Sequence, residues 1–134
     1  MNYPIPKKMN YPVTKGITKK PKYGNKKVTY NNIKFDSVKE KDRYLLLKDM
    51  ERLGQVEDLQ LQVKFELQPK FEINGKKIRE ISYIADFTYY KVYKGEIPVR
   101  EYVVEDVKGY RKDKTYLLKK KMFMYKYQTE ISEV

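Results

Sequence analysis

Ala85-Asp86-Phe87-Thr88-Tyr89-Tyr90, followed after a turn by Tyr102-Val103-Val104-Glu105-Asp106-Val107-Lys108-Gly109, is the stretch that decides the fold. Val, Tyr, Phe and Thr dominate both arms, so both read as strands. Each arm nevertheless carries charge: Asp86 in the first, Glu105, Asp106 and Lys108 in the second. A carboxylate buried in a sheet is costly unless something compensates it. Where carboxylates converge, a divalent cation is the usual compensation. Lys94-Gly95-Glu96 and Pro98 supply turn chemistry between the arms. A hairpin folded about Glu96 pairs positions whose numbers sum to 192, and Asp86 with Asp106 satisfies that sum. Opposed side chains on one sheet face lie about 4.5–5.5 Å apart at Cβ, which suits two carboxylates sharing a metal. Strand period two then puts Asp86, Asp106 and Lys108 on one face and Glu105 on the other.

Composition narrows the chemistry. The 134 residues suffice for one domain and a tail. Thirty basic residues against 18 acidic give a net charge of +12. Such a balance points to a polyanionic partner, nucleic acid before membrane. The chain has neither cysteine nor histidine. Disulfides, thiolate nucleophiles, serine-histidine triads and imidazole metal ligation are thereby excluded. A metal here would be held by oxygen, which favours Mg2+ or Mn2+. No apolar run reaches the roughly 18 residues of a membrane span. The start lacks a hydrophobic signal-peptide core. A cytoplasmic location is expected.

Residues 1–25 form a basic, Pro-rich N-terminal arm with four of the six prolines. Residues 1–35 hold nine lysines and no acid, whereas the remainder carries 21 basic and 18 acidic residues. The arm is either a solvated tail or a grip on phosphates that adds salt-dependent affinity. Residues 27–35 suggest a short hairpin turned at Asn31-Asn32. Ser37 with Glu40 three residues on is a capping-box pattern opening a helix that runs to about Leu53, with Gly54 as its stop. Arg43 on this helix would orient the Glu40 carboxylate or hold a phosphate, or simply be solvated. From Leu59 to Gln68, apolar and polar residues alternate as in a half-buried strand. Gln62, Lys64 and Glu66 fall on its polar side, facing solvent or bordering a cleft. Pro69 ends it, and Asn74-Gly75 marks a hairpin leading into the strand that carries Asp86. On that strand Ile81, Tyr83, Ala85, Phe87 and Tyr89 are expected to face the core. Thr115 or Asp113 caps a second helix from about Lys114 to Tyr127. Lys112, Lys114, Lys119, Lys120 and Lys121 make its surroundings strongly basic. These side chains would contact phosphates or form a solvent face. Tyr116, Phe123, Tyr125 and Tyr127 read as core before they read as base-stacking residues.

Asp86 followed by Asp106-Val107-Lys108 resembles the core of the PD-(D/E)XK nucleases, with Ala85 where a proline often precedes the first acid. The longer set, Tyr83-Ile84-Ala85-Asp86-Phe87, Val104-Glu105-Asp106-Val107-Lys108-Gly109 and the helix from Ser37, is similar to a family of short phage and prophage proteins without assigned function. That family is itself related to Holliday-junction-resolving endonucleases. The resemblance covers about residues 24–127. It implies an α/β (α+β), restriction-endonuclease-like core over residues 26–134, with a mixed central sheet flanked by helices. It also implies a magnesium-dependent endodeoxyribonuclease acting on branched or recombining DNA, working as a homodimer. Asp86 and Asp106 would ligate the metal, the Val107 carbonyl would add a ligand, and Glu40 would complete the acidic cluster. Lys108 would position water or hold the phosphate. The alternatives are a non-catalytic basic DNA-binding phage protein retaining a nuclease fold, and a plain cross-strand ion pair between Lys108 and a carboxylate.

Overall fold

The computed structural model describes residues 26–107 and 113–134. The expected N-terminal arm lies outside them, as do Lys108 and Lys112. Asn31 and Asn32 take the positive φ (47° and 63°) that a tight hairpin turn needs, joining β1 (Val28–Tyr30) to β2 (Ile33–Phe35). Ser37 then caps α1 (Val38–Arg52), its side chain accepting from the Glu40 N–H at 3.1 Å. Gly54, at φ 76°, follows the helix and turns the chain into β3 (Val56–Gln68). The helix buries Glu40, Tyr44 and Leu47, while Val38 and Leu53 are exposed.

Asn74 and Gly75 turn β4 (Phe71–Ile73) into β5 (Lys76–Ile78), a small ribbon of its own. The chain re-enters the main sheet as β6 (Ile81–Tyr93) and returns as β7 (Val99–Asp106). Pairs from Phe87 with Glu105 to Tyr93 with Val99 all obey the expected sum of 192. α2 (Lys114–Tyr127) is capped by the Asp113 side chain on the Thr115 N–H and closed by Gln128 at φ 51°. It carries the chain to β8 (Ile131–Glu133), which lies parallel to β7. A parallel neighbour demands such a crossover. The sheet order β3-β6-β7-β8 is therefore mixed, with antiparallel pairs and one parallel edge.

The sheet buries both of its faces. Phe35, Tyr44, Leu47, Val56, Phe87, Tyr89 and Val107 form one core, with Val103 packed on it. Val63, Phe65, Tyr83, Ala85, Val104, Tyr116, Phe123 and Ile131 belong to the other. Val103 and Val104 are neighbours in β7, so their separate cores lie on opposite faces. α1 thus covers one face and α2 the other. This corrects the expectation of one core face on β6. Tyr83 and Ala85 pack towards α2, yet Phe87 and Tyr89 pack towards α1. Regular alternation would keep all four together, so the strand switches faces at Asp86. The same switch occurs on β3, between Leu61 and Val63, where Gln62 adopts φ 53°. A further irregularity at Asp58 (φ 55°) shifts the β3–β6 register between Glu57 and Gln60.

Candidate active site

The face switch turns the carboxylate of Asp86 out of the regular alternation. One of its oxygens, Oδ2, accepts from the Val107 backbone N–H at 2.8 Å. That amide belongs to the peptide joining Asp106 to Val107. Standard bond lengths then place the Asp86 carboxylate within about 5 Å of the Asp106 Cα. The other oxygen, Oδ1, lies 3.4 Å from Gln62 Nε2, and the same nitrogen donates to Glu40 Oε1 at 3.2 Å. A carboxylate from α1 and one from β6 therefore meet at a single amide from β3. Both are almost fully buried, Glu40 at 3% and Asp86 at 6% exposure. Gln62 reaches them because its left-handed backbone breaks the pleat.

Ser37 receives the Glu40 N–H as a helix cap, while the Glu40 side chain is turned inwards to Gln62. Position three of a capping pattern and a place in the acidic cluster are thus occupied by one residue. Asp106, 3% exposed, accepts from the Tyr83 hydroxyl at 2.8 Å, and its backbone carbonyl accepts from Val134 N–H at 3.0 Å. Burial pushes the Tyr83 phenol far above its ordinary range, and the charge of Asp106 and the bond to it push the same way. Tyr83 therefore stays a neutral donor. The Val107 side chain is buried in the α1-side core.

The other side of β7 has a different chemistry. Glu105, fully buried, takes both nitrogens of the Arg43 fork, Nε at 2.6 Å and Nη2 at 2.9 Å, and the Tyr89 hydroxyl at 2.6 Å. The bond to Glu105 raises the Arg43 pKa further, outweighing partial burial. Burial raises that of Tyr89, helped by Glu105 and opposed by Arg43. Glu105 thus lies on the face opposite Asp106, as strand alternation predicts, and the structure shows it ion-paired there. Arg43 departs from expectation: its guanidinium is committed to Glu105 rather than to a phosphate or to Glu40. A bidentate pair to a buried carboxylate is costly to open, which is the physical reason.

Among the described residues, no three acidic side chains stand together as a ready-made cation cage. Buried carboxylates take hydrogen-bond donors. The donors here lie on different elements, so Glu40 and Asp86 share Gln62 while Asp106 is drawn to Tyr83. Asp86 links the two parts through Val107. The donor set is all oxygen, in keeping with a hard divalent cation. Sequence reasoning places Gln62 at a possible cleft border but gives it no role. It also misses Tyr83 as the partner of Asp106. On α2, Lys120 pairs with Glu133, whereas Lys114, Lys119 and Lys121 make no ion pair among the described residues. Tyr116 and Phe123 are core, and Tyr125 is exposed.

The family description "Protein of unknown function (DUF1064)" matches residues 20–133, nearly the whole chain. The expectation of a short protein without assigned function is met at that level. No curated protein and no solved structure matches the chain. No described helix is long and apolar enough to cross a membrane.

Proposed function

We propose that this chain, which belongs to the DUF1064 family, is a divalent-metal-dependent endonuclease that hydrolyses DNA phosphodiesters, with branched or recombining DNA as its substrate class. One observation carries the reading: two buried carboxylates, Glu40 and Asp86, meet at Gln62, and Asp86 also bonds the backbone where Asp106 ends its strand. The sequence resemblance to PD-(D/E)XK nucleases adds the substrate class, and the net charge of +12 fits a polyanion.

Asp86 and Asp106 would hold Mg2+ or Mn2+, with Glu40 and the Val107 carbonyl as further oxygen ligands. Such an ion would supply a bound water of lowered pKa and would offset the negative charge that builds on the phosphoryl oxygens. The protein's own contribution is orientation. Val107 N–H fixes one oxygen of Asp86, Tyr83 fixes one of Asp106, and Gln62 holds Glu40 beside Asp86. An ordinary lysine titrates near 10.4, too high for a general base at neutral pH, so Lys108 would hold the phosphate or position water rather than take a proton. Lys114, Lys119 and Lys121 at α2 bind flanking phosphates. A four-way junction has two-fold symmetry, so the acting species is a homodimer, in the cytoplasm of the host if the chain is phage-encoded.

The test is incubation of a synthetic four-way junction and a linear duplex with Mg2+ or with EDTA, comparing wild type with Asp106→Asn. Cleavage that needs Mg2+ and is lost in the variant is expected. Failure to cut either DNA, or equal cutting by the variant, rejects the reading. The second reading is a non-catalytic DNA-binding protein that keeps the fold. The separate partners of Asp106 and Glu40 favour it. It predicts binding without cleavage, indifferent to Asp106→Asn.

A further inference from the structure

The β4–β5 ribbon takes no part in either core. Its two strands pair only with each other, as a separate sheet. From Pro69 to Glu80 every residue except Ile78 is exposed. Residues 69–79 hold Lys70, Lys76, Lys77 and Arg79 against the single acid Glu72. None of these four cations makes an ion pair among the described residues. The root of the ribbon, by contrast, is tied down, since Lys64 of β3 pairs with Glu80.

Cross-strand pairing sorts the side chains. Phe71 faces Ile78 and Ile73 faces Lys76, while Glu72 faces Lys77. Period two puts Phe71, Ile73, Lys76 and Ile78 on one surface. Phe71 is 44% and Ile73 54% exposed. An apolar strip edged with unpaired cations on a two-stranded ribbon fits one kind of partner better than others. The major groove of a duplex, roughly 12 Å wide, admits a two-stranded ribbon. The ribbon's cations then meet phosphates and its apolar strip meets base edges and thymine methyls.

We infer that the β4–β5 ribbon is a duplex-DNA-binding wing that enters the major groove beside the cleavage site. The inference deepens the proposed function and rests on DNA being the substrate. Position supports it. Five residues of β6 separate Asp86 from Ile81, where the chain returns from the ribbon to the main sheet, about 17 Å at strand rise. That is about half a helical turn of duplex, whose full turn is about 34 Å. A duplex with one phosphate at Asp86 thus presents its neighbouring groove to the ribbon.

The test measures binding of a linear duplex by fluorescence anisotropy across a salt series. Wild type, the double variant Lys76→Ala with Lys77→Ala, and Ile73→Ser are compared. Each lost phosphate contact should lower the slope of log K against log salt by about 0.9, so the double variant loses about 1.8. Ile73→Ser should weaken binding with the slope unchanged. Thermal midpoints should match wild type, because these side chains pack on no core. Wild-type slope and affinity in all variants would overturn the inference. So would a change confined to the oligomeric state, which would make the ribbon a contact between copies, or failure of wild type to bind duplex at all. Binding without cleavage by wild type rejects only the nuclease reading, and the slopes then still decide the ribbon.

Discussion

Glu105 and Asp106 are adjacent residues on one strand, both buried, and they are held in opposite ways. Glu105 points to the α1 face and receives a guanidinium fork with a phenol. Asp106 points to the α2 face and receives the phenol of Tyr83. An arginine fork both orients a carboxylate and cancels its charge. A phenol, an amide or a backbone N–H orients it and leaves the charge in place. Glu40, Asp86 and Asp106 each accept from donors of the second kind. The first arrangement joins α1 to β7. The second fixes individual oxygens of three buried acids through neutral donors.

Neutralising each neighbour in turn gives the largest separation. Asp106→Asn keeps an acceptor for Tyr83 and should leave stability nearly unchanged, while cleavage falls by about 10²-fold or more, on the scale of other charge-stabilising site groups. Glu105→Gln should do the reverse. It strands Arg43, and breaking a buried pair costs about 3–5 kcal/mol. Arg43 is partly solvated, its side chain 23% exposed, so the lower end, about 3 kcal/mol, is expected. For a domain of this size the melting midpoint would drop by about 10–20 °C. Calorimetry and a cleavage assay on both variants check the contrast. Stability lost in Asp106→Asn, or activity lost in a still-folded Glu105→Gln, would erase it.

The two phenols sharpen the same contrast on a smaller scale. Tyr83→Phe and Tyr89→Phe each remove one donor from a buried carboxylate, at about 1–3 kcal/mol. Tyr89→Phe leaves Glu105 with its arginine, so its cost should sit near the lower limit and cleavage should persist in the folded variant. Tyr83→Phe takes one orienting bond from Asp106, so turnover should fall about tenfold at unchanged substrate affinity. Single-turnover rates at saturating DNA separate the two effects.

Much of this was legible in the residues, for physical reasons. Turn chemistry at Gly95 and Pro98 fixed a hairpin, and arithmetic on that hairpin gave the β6–β7 register from the pair of Tyr93 with Val99 to that of Phe87 with Glu105. The pair of Asp86 with Asp106 that it also called for is not in the ladder, because β6 switches faces at Asp86 and its carboxylate bonds Val107 N–H instead. Asp113 and the helical spacing after it gave the bounds of α2. The face switch was not legible. Leu59, Leu61, Val63, Phe65 and Leu67 keep a period-two pattern straight through Gln62, and periodicity does not record a left-handed residue. With helices on both faces, either side accepts an apolar residue, so the pattern carries no sign of the change. Tyr83 escaped for a related reason: its numbers with Asp106 miss the pairing sum by three, and only the switch at Asp86 brings them to one face. Ile131-Ser132-Glu133 is too short for any periodicity, and its place beside β7 comes from the crossover through α2.

The smallest expected effect is on alkaline stability. Tyr83 and Tyr89 both have pKa values raised in the fold above their ordinary 10.0, chiefly by burial. A phenol of this kind contributes stability that is complete below the unfolded-state pKa and is lost as pH rises from there through the folded value. The unfolded chain sheds its proton first, so each such tyrosine should lower unfolding free energy by about 1.4 kcal/mol per pH unit above pH 10. Tyr83→Phe and Tyr89→Phe should each flatten that decline by one proton's worth, despite being less stable at neutral pH. Urea midpoints between about pH 9 and pH 11 measure it. A wild-type slope retained in Tyr83→Phe would mean that this phenol already ionises in the folded protein. Asp106 would then face an anion instead of a donor, and its difference from Glu105 would have to be explained some other way.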